Sequence, residues 1–228
     1  MTQYNNLKLI IGLTLLSLCL AGCVDLSGLT RDKPEKTIAP VAPTKKKMKQ
    51  EGQVYSMLGG LGMFSTGMRQ AQNRIAMEHK ISGHNTMWYR GGDVTKAIVN
   101  YKHRHPERPI ILIGHSLGAN EQIKVARNLD RAGIPVDLLI TVDAVSVRTV
   151  PGNVKYALNI YKPGYVPMFS GLQLRAVNAA STKIDNINVQ NMRELHVNHF
   201  TIDKDEVVQA MILKEVDKVL VNANSKEA

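Results

Sequence analysis

The sequence predicts an α/β domain built on a doubly wound, mainly parallel sheet of about five or six strands. Short, almost purely apolar runs such as Ile110-Ile111-Leu112-Ile113 and Leu138-Leu139-Ile140-Thr141-Val142 read as strands buried on both faces. Segments with apolar residues at three- and four-residue spacing separate these runs, so strand and helix alternate. From Val54 onward roughly 175 residues remain, enough for one proper core and too few for two.

The chain before that domain has a different character. Lys8 precedes the apolar run Leu9 to Ala21, which ends in Leu20-Ala21-Gly22-Cys23. A short charged region, an apolar stretch too short to span a bilayer comfortably, and small residues before a cut site make a secretory signal over residues 1–22. Leu-Ala-Gly-Cys resembles the lipobox of bacterial lipoproteins, and the resemblance implies that Cys23 is acylated and becomes the first residue of the mature chain. Cys19 leaves with the signal, so no cysteine remains for a disulfide in an oxidising compartment. Several acyl chains on one residue hold a protein firmly at a membrane. Val24 rather than aspartate follows the cysteine, which by the same resemblance favours the outer over the inner membrane of the cell envelope.

Residues 23–53 read as a tether. They hold Pro34, Pro40 and Pro43, lack an apolar period, and carry Lys45, Lys46, Lys47 and Lys49. These lysines suit anionic headgroups as well as plain solvation. The formal net charge is +10, but an exported, acylated chain with 3 Phe and 1 Trp offers little for stacking bases, so nucleic acid is not an expected partner.

Within the domain, taken as residues 54–228, Val54 to Leu58 is the first strand and Gly67 to Glu78 the first helix. His84 to Tyr89 is a strand and Gly92 to His103 a helix. The run ending at Ile113 then leads straight into a helix patterned by Ala119, Ile123, Ala126 and Leu129, with Gly133 placed to end it in a left-handed cap. Val136 to Val142 and Val154 to Tyr161 are further strands, and Val207 to Val221 is a closing amphipathic helix. Lys162 to Ser181, with Pro163, Pro167, Met168, Phe169 and Leu172, is the candidate for a small apolar flap. No internal repeat is visible.

Gly114-His115-Ser116-Leu117-Gly118 sits between the buried strand and the helix. It fits G-x-S-x-G, the nucleophile elbow, in which a tight turn exposes the serine oxygen. The two glycines flank a turn too sharp for a side chain. Such sheets bind ligands at the carboxyl ends of their strands. Gly59-Gly60-Leu61-Gly62, Ser116 and Asp143 each follow a strand there. A serine nucleophile needs a base and an acid that orients it. After Ser116 the only histidines are His196 and His199. His199 is preferred, because it is nearest the final helix and is followed by Phe200, which could anchor the loop; His196 is held in reserve. Asp143 is the preferred acid, Asp185 its rival, and Asp203 and Asp205 read as caps of the last helix. His79, His84, His103 and His105 show no metal spacing, and no Walker lysine or G-x-G-x-x-G is present, so neither metal nor cofactor is expected.

These features together resemble the α/β-hydrolase superfamily of serine esterases, lipases and thioesterases, over about Val54 to Val221. The resemblance implies the chain order Ser, acid, His, met here by Ser116, Asp143 and His199. It also implies an oxyanion hole from the amide of Leu117 and from the loop after the first strand, where Leu61 is the choice. A full hydrolase of this kind has further strands before that loop, so the fold is expected in reduced form. The implied activity is hydrolysis of acyl or lipid-like esters through an acyl-enzyme. Acyl transfer and a non-catalytic envelope binding module are the alternatives.

Overall fold

The computed structural model describes residues 53–60, 62–63, 65–81 and 83–225. The signal, Cys23, nearly all of the tether and Leu61 lie outside them. Among the described residues no helix is long and apolar enough to cross a membrane.

Six parallel strands form the main sheet: β1 (Gln53–Leu58), β2 (Gly83–Met87), β3 (Ile110–His115), β4 (Val136–Val142), β6 (Val154–Tyr161) and β8 (Lys183–Asn188), in the order β2-β1-β3-β4-β6-β8. Two short strands, β5 (Thr149–Val150) and β7 (Arg175–Ala176), pair separately. The helices are α1 (Thr66–His79), α2 (Gly91–Arg104), α3 (Leu117–Arg131) and α4 (Glu206–Ser225). Strand and helix alternate as the apolar pattern predicts, and the main sheet has six strands, within the five or six expected.

The alternation of side chains along each strand builds two cores. Ile111 and Ile113 face one way, against Met68, Ala71 and Ile75 of α1 and Val208, Ile212 and Val216 of α4. Ile110 and Leu112 face the other, against Val94 and Ile98 of α2 and Ile123 and Leu129 of α3. All four strand residues are fully buried, and truncating any one of them to alanine costs about 2–5 kcal/mol. From β1 the chain moves outward to β2 and then returns to β3 on the opposite side, so the direction of winding reverses between β1 and β3. The crevice at the carboxyl ends of those two strands is where such a sheet receives ligands.

Four expectations need correction. The strand expected at His84 to Tyr89 ends at Met87, and Trp88–Arg90 forms a 3-10 turn that leads into α2. β8 has no counterpart in the apolar pattern, because its sequence KIDNIN lies at the sheet edge and is only partly buried. The flap is shorter than Lys162 to Ser181, since Arg175–Ala176 is committed to β5. Finally, Asp205 does cap α4, its Oδ1 accepting from the amides of Val207 and Val208, but Asp203 does not.

Asp203 is fully buried beside Gly67 in the first turn of α1. Neither of its carboxyl oxygens has a hydrogen bond of normal geometry. Burial raises its pKa from 3.8 to about 6, against the smaller pull of Lys204 and the amides of Gly67 and Met68. A carboxyl whose native pKa lies above its unfolded value stabilises the fold fully below about pH 4, and that contribution is lost as pH rises through about 6. Asp203→Asn is therefore expected to raise stability at pH 8 by on the order of 1–3 kcal/mol, with the gain shrinking towards pH 4. Urea unfolding at both pH values measures this; a gain independent of pH would contradict it.

Candidate active site

The tight turn between β3 and α3 has the backbone of a nucleophile elbow. Ser116 has φ 58° and ψ −123°, a region that non-glycine residues occupy only under constraint. A Cβ on Gly114 would lie 2.6 Å from the carbonyl of Gly118, and one on Gly118 would lie 2.4 Å from the carbonyl oxygen of Met57. Neither position accepts a side chain. The turn is held from outside by the Ser116 amide, which donates to the Val142 carbonyl at 2.9 Å.

Ser116 Oγ lies 2.8 Å from Nε2 of His199, and Nδ1 of His199 lies 2.9 Å from Oδ2 of Asp143. An ionised carboxylate can only accept, so Nδ1 carries the proton and Nε2 is left to accept from the serine hydroxyl. Asp143 is fully buried, and His199 and Ser116 are nearly so, at 7% and 8% exposure. The second Asp143 oxygen, Oδ1, accepts from the backbone amide of Lys162 at 2.7 Å. Hydrogen bonds to both oxygens fix the carboxylate plane that orients the imidazole.

The structure thus brings Ser116, His199 and Asp143 together. The reserve residues lie elsewhere: His196 is exposed, and Asp185 on β8 accepts from the Tyr156 hydroxyl at 2.8 Å and pairs with Lys183. Phe200 does not anchor its loop by burial, being 38% exposed; it stacks edge-on against His199 with ring centroids 5.5 Å apart. The loop is fastened by its own turn instead, with the amides of Thr201 and Ile202 donating to the Asn198 carbonyl.

Leu117 begins α3, where the first amides of a helix have no partner within it, so its N–H is free to face a developing oxyanion. Gly59, the residue after β1, passes directly over it. A Cβ on Gly59 would lie 2.7 Å from Ser116 Cβ and 3.1 Å from the Leu117 nitrogen. The Gly59 amide donates to Ser65 Oγ at 3.0 Å and is thereby excluded as an oxyanion donor. That leaves Gly60 beside Leu61 as the described alternative from this loop.

Several supporting residues have no signal in the sequence. Asn120 Oδ1 accepts from three successive amides, Val145, Ser146 and Val147, at 3.1–3.2 Å, and so pins the loop that follows Asp143. Asn159 donates to the Leu172 carbonyl and to Asn186 Oδ1, tying the returning limb of the flap to the sheet. Gly171 N donates to the Lys162 carbonyl, which closes the flap on itself at the point where Asp143 holds it. Glu78, His79 and Asp217 bring three possible metal-ligand atoms within 4.8 Å, but His79 Nε2 is already hydrogen-bonded to Asp217.

No family model matches the sequence, and no curated protein matches it. Among solved structures, the chain is similar to a cutinase-like protein from Cryptococcus sp., at 15% identity and a TM-score of 0.48, covering 75% of this chain and 96% of that one. It is also similar to the RedJ thioesterase of the prodiginine pathway in Streptomyces coelicolor, at 13% identity and a TM-score of 0.45, covering 83% of this chain and 98% of that one. A third similar structure is the NocB thioesterase domain in covalent complex with a fluorophosphonate nocardicin G analog, at 12% identity and a TM-score of 0.43, covering 76% and 96% of the two chains. At such low identity and TM-score, the chemistry of the site has to be understood from its own geometry.

That geometry distinguishes the two histidines by experiment. His199→Ala is expected to slow labelling of the full-length protein by a fluorophosphonate by about 10³-fold or more, whereas His196→Ala stays within about twofold of wild type. Comparable losses in both variants would contradict the assignment of His199.

Proposed function

We propose that the protein is a serine hydrolase that cleaves acyl esters through an acyl-enzyme on Ser116 and works from a membrane to which acylated Cys23 tethers it. The observation that carries this reading is the buried relay of 2.8 and 2.9 Å from Ser116 through His199 to Asp143, mounted on a strained elbow.

The steps follow from the hydrogen bonds. His199 Nε2 takes the Ser116 proton as Oγ attacks the ester carbonyl, and Asp143 stabilises the imidazolium that forms. The oxyanion is held by the Leu117 amide and by an amide of the Gly60-Leu61 segment. Collapse expels the alcohol, which receives the proton from His199. Water, deprotonated by the same nitrogen, then attacks the acyl-enzyme, and the acid leaves with Ser116 restored. Ester and water are consumed, and acid and alcohol formed, in equal number.

The surroundings favour an apolar ester. Tyr165, Val166, Phe169 and Phe200 are exposed on the β6 flap and the His199 loop, and Phe169 lies 5.5 Å from the His199 ring and 5.0 Å from that of Phe200. Met63 and Tyr89 are exposed on the loops after β1 and β2. In the strand order β1 and β2 lie on one side of β3, which leads into Ser116, and β6 with its flap lies on the other. The lipobox-like Leu20-Ala21-Gly22-Cys23 supports the membrane setting, and outer-membrane placement follows from Val24 by the same reasoning.

The full-length protein is expected to hydrolyse p-nitrophenyl butyrate faster than the acetate. Ser116→Ala is expected to lose at least about 10³-fold of the activity. Cys23→Ser is expected to abolish incorporation of labelled palmitate while leaving ester hydrolysis in place. Equal hydrolysis by the Ser116→Ala protein would overturn the proposed chemistry, and palmitate incorporation into Cys23→Ser would overturn the proposed anchor.

A further inference from the structure

His115, the residue between Gly114 and the nucleophile, is not consumed by the mechanism above, yet it is almost completely buried. Its Nε2 lies 2.9 Å from the backbone carbonyl of His199, and its Nδ1 lies 2.8 Å from Ser65 Oγ. A carbonyl can only accept, so Nε2 must carry the hydrogen. Burial, with a smaller contribution from His199, lowers the His115 pKa from 6.5 to about 3, so the ring is neutral and Nδ1 must accept. Ser65 therefore donates to His115, and its oxygen is left to accept from the Gly59 amide at 3.0 Å.

Every donor in this chain points the same way. Gly59 N–H donates to Ser65, Ser65 O–H to His115, and His115 Nε2–H to the His199 carbonyl. One run of hydrogen bonds thus links the loop beside the oxyanion site, the residue before the nucleophile, and the backbone of the base. Ser65 occupies the N-cap position of α1, where a serine oxygen normally accepts from the helix's first amides, but it makes no such bond. The hydroxyl is diverted from capping, and the first turn of α1 faces the buried Asp203 carboxyl instead.

We propose that His115 and Ser65 are positioning residues: together they fix the His199 backbone relative to Ser116 and the oxyanion loop, so that Nε2 of the base stays in line with the nucleophile. This rests on reading Ser116, His199 and Asp143 as the catalytic set. A histidine suits the task because it is planar, donates at one end and accepts at the other. Being neutral, it also places no positive charge beside the imidazolium that His199 becomes, although their ring centroids lie only 5.1 Å apart. A leucine of similar volume would fill the space and leave the His199 carbonyl and the Ser65 hydroxyl without partners. Glutamine retains a donor and an acceptor in similar positions.

The test uses the full-length protein and saturable labelling by a fluorophosphonate, reading the maximal labelling rate apart from the half-saturating probe concentration. His115→Leu is expected to lower the maximal rate about 10²-fold with half-saturation little changed, since small misplacements of a catalytic group cost rates of that order. His115→Gln is expected to recover at least about tenfold of the loss, and Ser65→Ala to fall between Leu and wild type. Should His115→Leu fail to fold, the Gln and Ser65→Ala variants decide alone: a slow Ser65→Ala beside a near-normal His115→Gln supports the proposal. Folded His115 and Ser65 variants that label at the wild-type rate would overturn it, as would a glutamine variant no faster than leucine. Wild-type protein that takes no label at all would instead bring down the catalytic reading on which the proposal depends.

Discussion

The backbone of Ser116 is the constraint around which the rest of the molecule is arranged. Holding a serine at φ 58° and ψ −123° costs on the order of 1–3 kcal/mol, and the conformation persists only where neighbours leave no alternative. Here β3 enters the turn buried on both faces and α3 leaves it under Met57 and Leu58, so strand and helix are each fixed by their cores before the turn is reached. Two glycines permit the contact, and the hydrogen bond from the Ser116 amide to Val142 locks it to the neighbouring strand. The serine oxygen is thereby directed into the crevice where the winding of the sheet reverses.

Around that turn, polar side chains are spent on loops and strands rather than on capping or bracing helices. Ser65 gives up a capping bond worth about 1 kcal/mol to join Gly59 and His115. Asn120 sits inside α3 and yet binds three amides of the segment after Asp143, while Gln122 donates to the carbonyls of Tyr55 and Ile113. Asp143 divides its two oxygens between His199 and the amide of Lys162 at the base of the flap, so one carboxylate holds both the imidazole and the apolar element beside it. Asp203 is left buried without a normal hydrogen bond against the first turn of α1, and that burial pushes its pKa up.

Much of this was legible in the sequence. Buried strands announce themselves by unbroken apolar runs, and Gly114, Ser116 and Gly118 announce the elbow because only that spacing permits the turn. Asp143 and His199 could be reached from chain order and from their places after a strand and before the last helix. β8 could not, because Lys183, Asp185, Asn186 and Asn188 surround its two isoleucines and leave neither an apolar run nor a strict alternation; Asn186 is satisfied by Asn159 and the backbone of Leu174. His115 filled a position that the motif leaves unrestricted, and nothing in the spacing links it to Ser65, 50 residues away, or to the His199 carbonyl, 84 residues away. The exposure of Phe200 and the burial of Asp203 likewise depend on which loops meet, which periodicity does not encode.

The most direct measurement is the intact mass of the full-length protein after exposure to excess fluorophosphonate, followed by mapping of the modified peptide and repetition with Ser116→Ala. One adduct per chain, on the peptide containing Ser116 and absent from the variant, is the result expected of a serine activated by His199 and Asp143. A folded wild-type protein without adduct, or an adduct that persists in Ser116→Ala, would contradict it.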